Sequence, residues 1–196
     1  TNAANTQVGD TIAIYGVGGI GVNAVQGAAL AGAANVVAID PLANKREMAE
    51  KMGATHSAAT AEEAHELIQQ LTNGVGADKA IVTVGIVDTE VTTNAFNAIR
   101  KGGTVVVTGL ADPTKNTIEI PGALLTLFEK RIQGSLFGSG DPFQDIPRPV
   151  GLYQSGQLKP DELITNTYSL DQINQGYDDL INGVNVRGVI IHDPAA

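Results

Sequence analysis

The residues best suited to chemistry form a glycine loop. Gly16-Val17-Gly18-Gly19-Ile20-Gly21 directly follows the short apolar run Thr11-Ile12-Ala13-Ile14-Tyr15 and opens a segment in which Val22, Val25, Ala29 and Leu30 recur at helical spacing. Strand, G-x-G-x-x-G and helix in that order are suited to holding a pyrophosphate. Gly16 permits the tight turn, Gly18 lets the backbone approach the phosphates with no Cβ in the way, and Gly21 lets the helix pack close on the strand. Around Gly19 and Ile20 the helix start adds free N–H groups and the positive end of its dipole.

An acidic residue stands where such a loop would use one. Asp40 ends the next apolar run, Val36-Val37-Ala38-Ile39, 19 positions after Gly21. A carboxylate there accepts hydrogen bonds from both adenosine ribose hydroxyls and repels a 2′-phosphate, which favours NAD over NADP. Lys45, in the following turn, is within reach of the same ribose. Parallel sheets bind ligands at the carboxyl ends of their strands, which brings in Val84-Gly85 after one apolar run and Gly109-Leu110 after another. Pro41 and Val84 form an apolar pair suited to the two faces of an adenine, and Gly109 and Leu110 are expected near a nicotinamide.

Other catalytic sets are missing. The four tyrosines, 15, 153, 168 and 177, are followed four residues later by Gly19, Gln157, Gln172 and Ile181, so the Tyr-x-x-x-Lys pair of short-chain dehydrogenases is absent. No G-x-x-x-x-G-K-[ST] loop is present. His56, His65 and His192 are dispersed, and with no cysteine the sequence offers no sulfur-based zinc site. A cofactor site is signalled; catalytic and metal residues are not.

The elements that must position the loop alternate regularly along 196 residues. Apolar runs at 11–15, 36–39, 80–84 and 104–108, with a short one near 55–57, are separated by helical patterns at 22–31, 45–52, 61–71 and 88–99. Thr60 and Glu63 are placed as a capping box, and Asp88 is placed as a cap. The alternation predicts an open α/β sheet, and with the glycine loop and Asp40 a Rossmann doubly wound parallel sheet of order 3-2-1-4-5-6, occupying residues 11–139 after a residual upstream segment, 1–10. Beyond it a helix over 143–154, a helical pattern through Leu170, Ile173, Tyr177, Leu180 and Ile181, and a strand over 186–192 make a C-terminal helix-strand extension, 140–196. The 12 basic against 21 acidic residues, net charge −9, argue against nucleic acid or an anionic membrane as partner. No apolar stretch approaches a bilayer span and no signal segment opens the chain, so a cytoplasmic protein is expected.

Taken together, Gly9-Asp10-Thr11, the glycine loop, Asp40, Met52-Gly53-Ala54-Thr55, Lys101-Gly102-Gly103-Thr104, Gly134-Ser135-Leu136-Phe137-Gly138 and the stretch from Leu170 to Arg187 resemble medium-chain, zinc-type alcohol dehydrogenases. Among these the class III and the nitroso-acceptor or mycothiol-linked bacterial members are nearest in character. The resemblance implies an NAD-binding domain that positions the nicotinamide for hydride transfer between alcohol and aldehyde. It also implies that the Cys, His and Cys that hold zinc belong to a catalytic domain upstream of Thr1, so that this chain alone would be inactive. By the same resemblance the extension would complete that catalytic domain, and Arg187 would contact the cofactor pyrophosphate. The run Arg131-Ile132-Gln133-Gly134-Ser135-Leu136-Phe137 would pair with a second copy in a homodimer, covering an edge that is a liability when left open. The competing reading, a stand-alone NAD-sensing module, would need the sheet but not the extension.

Overall fold

Apolar runs without polar interruption must be covered on both faces, and helices on both sides of one sheet supply the cover. The computed structural model describes residues 1–112, 114 and 117–192, so residues 113, 115, 116 and 193–196 of the expected segments lie outside it. The chain divides into two units, 1–145 and 146–196.

The first unit runs β1 (Thr11–Tyr15), α1 (Gly21–Leu30), β2 (Asn35–Ile39), α2 (Ala43–Lys51), β3 (His56–Ala58), α3 (Ala61–Leu71), β4 (Ala77–Val82), β5 (Ile86–Val87), α4 (Thr89–Ala98), β6 (Ile99–Val107), β7 (Leu110–Ala111), α5 (Gly122–Leu127), β8 (Arg131–Gly134) and α6 (Pro142–Asp145). Six strands form one parallel sheet, β3-β2-β1-β4-β6-β8. The two-residue strands β5 and β7 pair separately, Ile86 with Leu110 and Val87 with Ala111. Counted without them, the order is the expected 3-2-1-4-5-6, and strand order reverses between β1 and β4.

Period two sorts the side chains of the sheet. Ala13, Tyr15, Val37, Ile39, Ala80, Val82 and Val105 belong to a cluster closed by Ala64, Ile68, Ala95 and Phe96 of α3 and α4. Ile12, Ile14 and Val36 take the opposite face, where α1 and α2 pack. Phe96 is fully buried, and truncating such a ring costs about 3–5 kcal/mol. Lys130 is buried beside it: its Nζ donates to the Phe96 carbonyl at 2.6 Å and lies 4.7 Å from the ring centre. Desolvation holds that ammonium below the ordinary lysine pKa.

The caps follow the residues that announce them. Thr60 Oγ1 accepts the Glu63 N–H at 3.2 Å, while the Glu63 carboxylate accepts from Ala59, one residue earlier than a standard box, at 2.8 Å. Asp88 accepts the Val91 N–H at 2.9 Å and starts α4.

Two expected elements are corrected. β8 stops at Gly134 rather than Phe137: the Ser135 N–H still reaches the Val107 carbonyl at 2.8 Å, but Phe137 (φ 48), Gly138 (φ 75) and Ser139 (φ 55) turn left-handed, which no strand sustains. The single helix expected over 143–154 is two, α6 and α7 (Pro147–Gln154), because Pro147 has no N–H to continue a ladder and heads the second helix instead.

The second unit consists of α7, β9 (Ile164–Tyr168), α8 (Ile173–Ile181) and β10 (Arg187–Ile190), with β9 and β10 parallel. The final strand is thus shorter than residues 186–192. Ser169 and Gln172 form a capping box ahead of α8. Tyr168 is buried, and its hydroxyl donates to Asp179 Oδ2 at 2.7 Å while accepting from Asn185 Nδ2 at 2.9 Å. Among the described residues no helix is long and apolar enough to cross a membrane.

Candidate functional site

The glycine loop leaves β1 at the point where strand order reverses. Gly16 has φ 85 and donates its N–H to the Ile39 carbonyl at 2.8 Å. Only glycine takes that conformation without cost, and a Cβ there would also press on Val84 at 2.9 Å. At Gly21 a Cβ would run into the Gly16 carbonyl oxygen and come within 2.6 Å of Thr83 Oγ1, so the helix packs as tightly on the loop as its sequence implies. Gly18 is the opposite case: a Cβ there would meet no atom within 4 Å.

α1 begins without a side-chain cap and without an acidic residue in its first turn. Val22 N–H closes the first turn onto the Gly18 carbonyl at 2.9 Å. Among the described residues the N–H groups of Gly19, Ile20 and Gly21 have no acceptor. Three open donors at a dipole's positive end, beside a glycine facing free space, form a cradle for an anion of phosphate size.

Asp40, 6% exposed, stands immediately after β2. Its Oδ2 accepts the Val17 N–H of the glycine loop at 3.0 Å, and its Oδ1 accepts the Leu42 N–H at 3.0 Å. Each oxygen retains a lone pair, and one carboxylate joins the loop to the turn that starts α2. The Arg46 guanidinium braces that turn, donating to the carbonyls of Asp40 at 2.7 Å and Pro41 at 3.0 Å. Lys45 is half-buried on the first turn of α2, and Pro41 is exposed. Val84 stands after β4, two strands from Pro41 with β1 between, a separation of about 10 Å.

On the other side of the reversal point lies a cleft of about 660 Å³ whose lining includes Ile20, Thr83, Val84, Gly85, Thr108, Gly109, Leu110, Ser135, Leu136 and Phe137. The β5–β7 pair extends β4 and β6 at this end. Gly109 approaches so closely that a Cβ would strike the Val84 carbonyl and lie 2.8 Å from Val87 Cγ2. Ile20 (65%), Leu110 (75%), Leu136 (71%) and Phe137 (95%) are exposed, giving the mouth an apolar rim.

The structure therefore gathers Gly16, Gly18, Gly19, Ile20, Gly21 and Asp40 at one place, and Ile20, Val84, Gly85, Gly109 and Leu110 along one cleft. Arg187 belongs to the second unit, exposed at the start of β10. The sequence alone gives Thr83 and Arg46 no site role and assigns Ser135 to Phe137 to a dimer strand rather than to the cleft. A hydroxyl inside the apolar run Ala80-Ile81-Val82-Thr83-Val84 was a signal for the first; Arg46 carries none. Leu136 and Phe137 were absorbed into a strand that the turn at Gly138 cuts short. Among the described residues no group of three or more His, Asp or Glu could hold a metal ion.

Comparison with known proteins gives the family. The profile of the zinc-binding dehydrogenase family matches residues 19–153. The chain is 56% identical over 190 residues to the NDMA-dependent alcohol dehydrogenase of Amycolatopsis methanolica, covering 97% of this chain and 51% of that protein. Benzyl alcohol dehydrogenase from Acinetobacter calcoaceticus superposes with a TM-score of 0.89 at 29% identity, over 96% of this chain and 51% of that one. A chain described as a zinc-binding dehydrogenase from Sinorhizobium meliloti 1021, bound to NADP, gives a TM-score of 0.74 at 30% identity, over 88% and 49%. The chain thus spans about half the length of the curated relatives it matches. With the doubly wound sheet, the glycine loop and this similarity along nearly its whole length, the chain belongs to the zinc-binding dehydrogenase family, the medium-chain zinc-type alcohol dehydrogenases.

Proposed function

We propose that this chain is the NAD(H)-binding part of a zinc-dependent alcohol dehydrogenase, holding the nicotinamide for hydride transfer between alcohol and aldehyde. The observation that carries the reading is the cradle at Gly18, open to an incoming ligand beside three unused N–H groups and one peptide unit away from the Asp40 carboxylate. Gly16, Gly18, Gly19, Ile20 and Gly21 receive the pyrophosphate. Asp40 accepts the adenosine ribose hydroxyls on its remaining lone pairs, with Lys45 alongside, while Pro41 and Val84 take the two faces of the adenine. The nicotinamide occupies the cleft beside Val84, Gly85, Gly109 and Leu110, and the apolar rim of Leu136 and Phe137 limits water there. When bound, the nicotinamide supplies the hydride-accepting carbon; this chain's residues bind, orient and desolvate it.

NAD is favoured over NADP because a buried carboxylate beside the ribose meets a 2′-phosphate with like charge. The described residues do not fit a zinc site, so no metal step is assigned to them. The second unit, which carries Arg187, is proposed to complete the catalytic domain of the whole protein. β8, an edge strand of the sheet, is proposed to pair with its counterpart in a homodimer. Working on the dinucleotide pool of the cytoplasm suits all of these roles.

Calorimetry with NADH and NADPH tests the cofactor reading. The chain should bind NADH in preference, and Asp40→Asn, which keeps one acceptor for the turn but removes the charge, should narrow the preference by about tenfold. Failure to bind either dinucleotide would overturn the assignment.

A further inference from the structure

We propose that Thr83 is a positioning residue for dinucleotide selection: its hydroxyl and the Asp40 carboxylate grip opposite ends of one peptide unit, Gly16–Val17, tying the phosphate cradle to the carboxylate that reads the ribose. The inference rests on the dinucleotide reading above and adds to it a residue that touches neither phosphate nor ribose.

Thr83 follows β4 and is 9% exposed. Its N–H donates to the Tyr15 carbonyl at 2.9 Å. Its hydroxyl lies 3.1 Å from the same Tyr15 oxygen and closer still to the Gly16 carbonyl oxygen. A hydroxyl has one proton. Tyr15 already receives the Thr83 N–H, whereas among the described residues no other hydrogen bond reaches the Gly16 carbonyl, so the proton serves Gly16. At the far end of this peptide the Val17 N–H donates to Asp40 Oδ2 at 3.0 Å.

The peptide unit is planar, so its C=O and N–H turn together. A rotation that releases the carbonyl from Thr83 also swings the N–H away from Asp40. The carboxylate then keeps only its Leu42 contact and loses the orientation that leaves its free lone pairs toward a ribose. Gly16 at φ 85 has no side chain to resist that rotation, and Gly21 packs against the same carbonyl and the same hydroxyl. Thr83 supplies the restraint that the glycines lack.

Thr83→Ser and Thr83→Ala both lose the methyl group, and only Ser keeps the hydroxyl, so their difference isolates the hydrogen bond. Calorimetric titration of the chain with NADH and with NADPH should show Thr83→Ala weakening NADH about five- to tenfold and NADPH less than about twofold, with Thr83→Ser restoring NADH to near the wild-type value. A loss confined to general loosening of the loop would weaken both dinucleotides by one factor, and that result, or equal NADH binding by the Ser and Ala variants, overturns the coupling. Should Thr83→Ala not fold, amide exchange at Val17 in the wild-type chain decides the matter: slow exchange is expected, and exchange as fast as at an open loop amide refutes the grip. Absence of NADH binding by the wild-type chain would instead overturn the dinucleotide reading, and the coupling with it.

Discussion

Two glycines of the same loop should respond to alanine in opposite ways. At Gly21 the added Cβ would overlap the Gly16 carbonyl and crowd Thr83 Oγ1 at 2.6 Å, both parts of the folded frame. Overpacking of this kind costs about 1–3 kcal/mol, and distorting the Thr83–Gly16 hydrogen bond adds about 1 kcal/mol. The sum, about 2–4 kcal/mol, corresponds to a melting temperature lower by roughly 5–15 °C for a chain of this size. At Gly18 the Cβ meets nothing within 4 Å, so Gly18→Ala should melt within about 2 °C of the wild type, since replacing glycine where the backbone allows it stabilises slightly. The same Cβ stands in the path of a pyrophosphate, and NADH affinity should fall about tenfold or more, equivalent to about 1.4 kcal/mol. Thermal melts followed by circular dichroism, with calorimetry on the same preparations, separate the two effects. If Gly21→Ala melted like the wild type, or Gly18→Ala bound NADH unchanged, the division of the loop into a packed end and an open end would be wrong.

Burial pushes the Tyr15 phenol well above its ordinary value of 10.0, so the folded chain keeps a proton that the unfolded chain releases, and stability must fall as pH rises past that value. Urea unfolding at pH 9 and pH 11 should show wild type losing up to about 1.4 kcal/mol more than Tyr15→Phe, with equal losses counting against a buried neutral phenol. The proposed pairing through β8 predicts a concentration-dependent dimer in sedimentation, weakened by Ile132→Pro; a monomer at high micromolar concentration would remove it.

Much of the fold was legible because its signals are local. Val36-Val37-Ala38-Ile39 can satisfy its side chains only between two layers, and Thr60 and Asp88 announce helix starts whatever lies elsewhere. The order of strands came from the glycine loop and Asp40, which belong to a dinucleotide sheet; alternation and crossover handedness alone admit other doubly wound orders. What was not legible depends on atoms distant in sequence. Asp40 was read as a ribose acceptor, and in the structure it also holds the Val17 N–H across 23 positions. Thr83 acts through a carbonyl 67 positions away. The short length of β8 is set by backbone turning at Phe137 and Ser139, residues with no glycine-like signal of their own. Arg46 lies on a helix rich in charge, and nothing in the residues beside it marks the turn it braces.

Ile20, the residue before α1, already has helical angles (φ −83, ψ −49), and among the described residues no side chain answers the N–H groups of Gly19, Ile20 and Gly21. A side-chain acceptor for one of these groups would be worth about 1 kcal/mol to the empty chain. That stabilisation is withheld, and a bound anion would supply it instead, so occupancy and thermal resistance rise together. Selection for stability alone would tend to fill this vacancy with a hydroxyl or a carboxylate, producing a sturdier chain that competes with its own ligand.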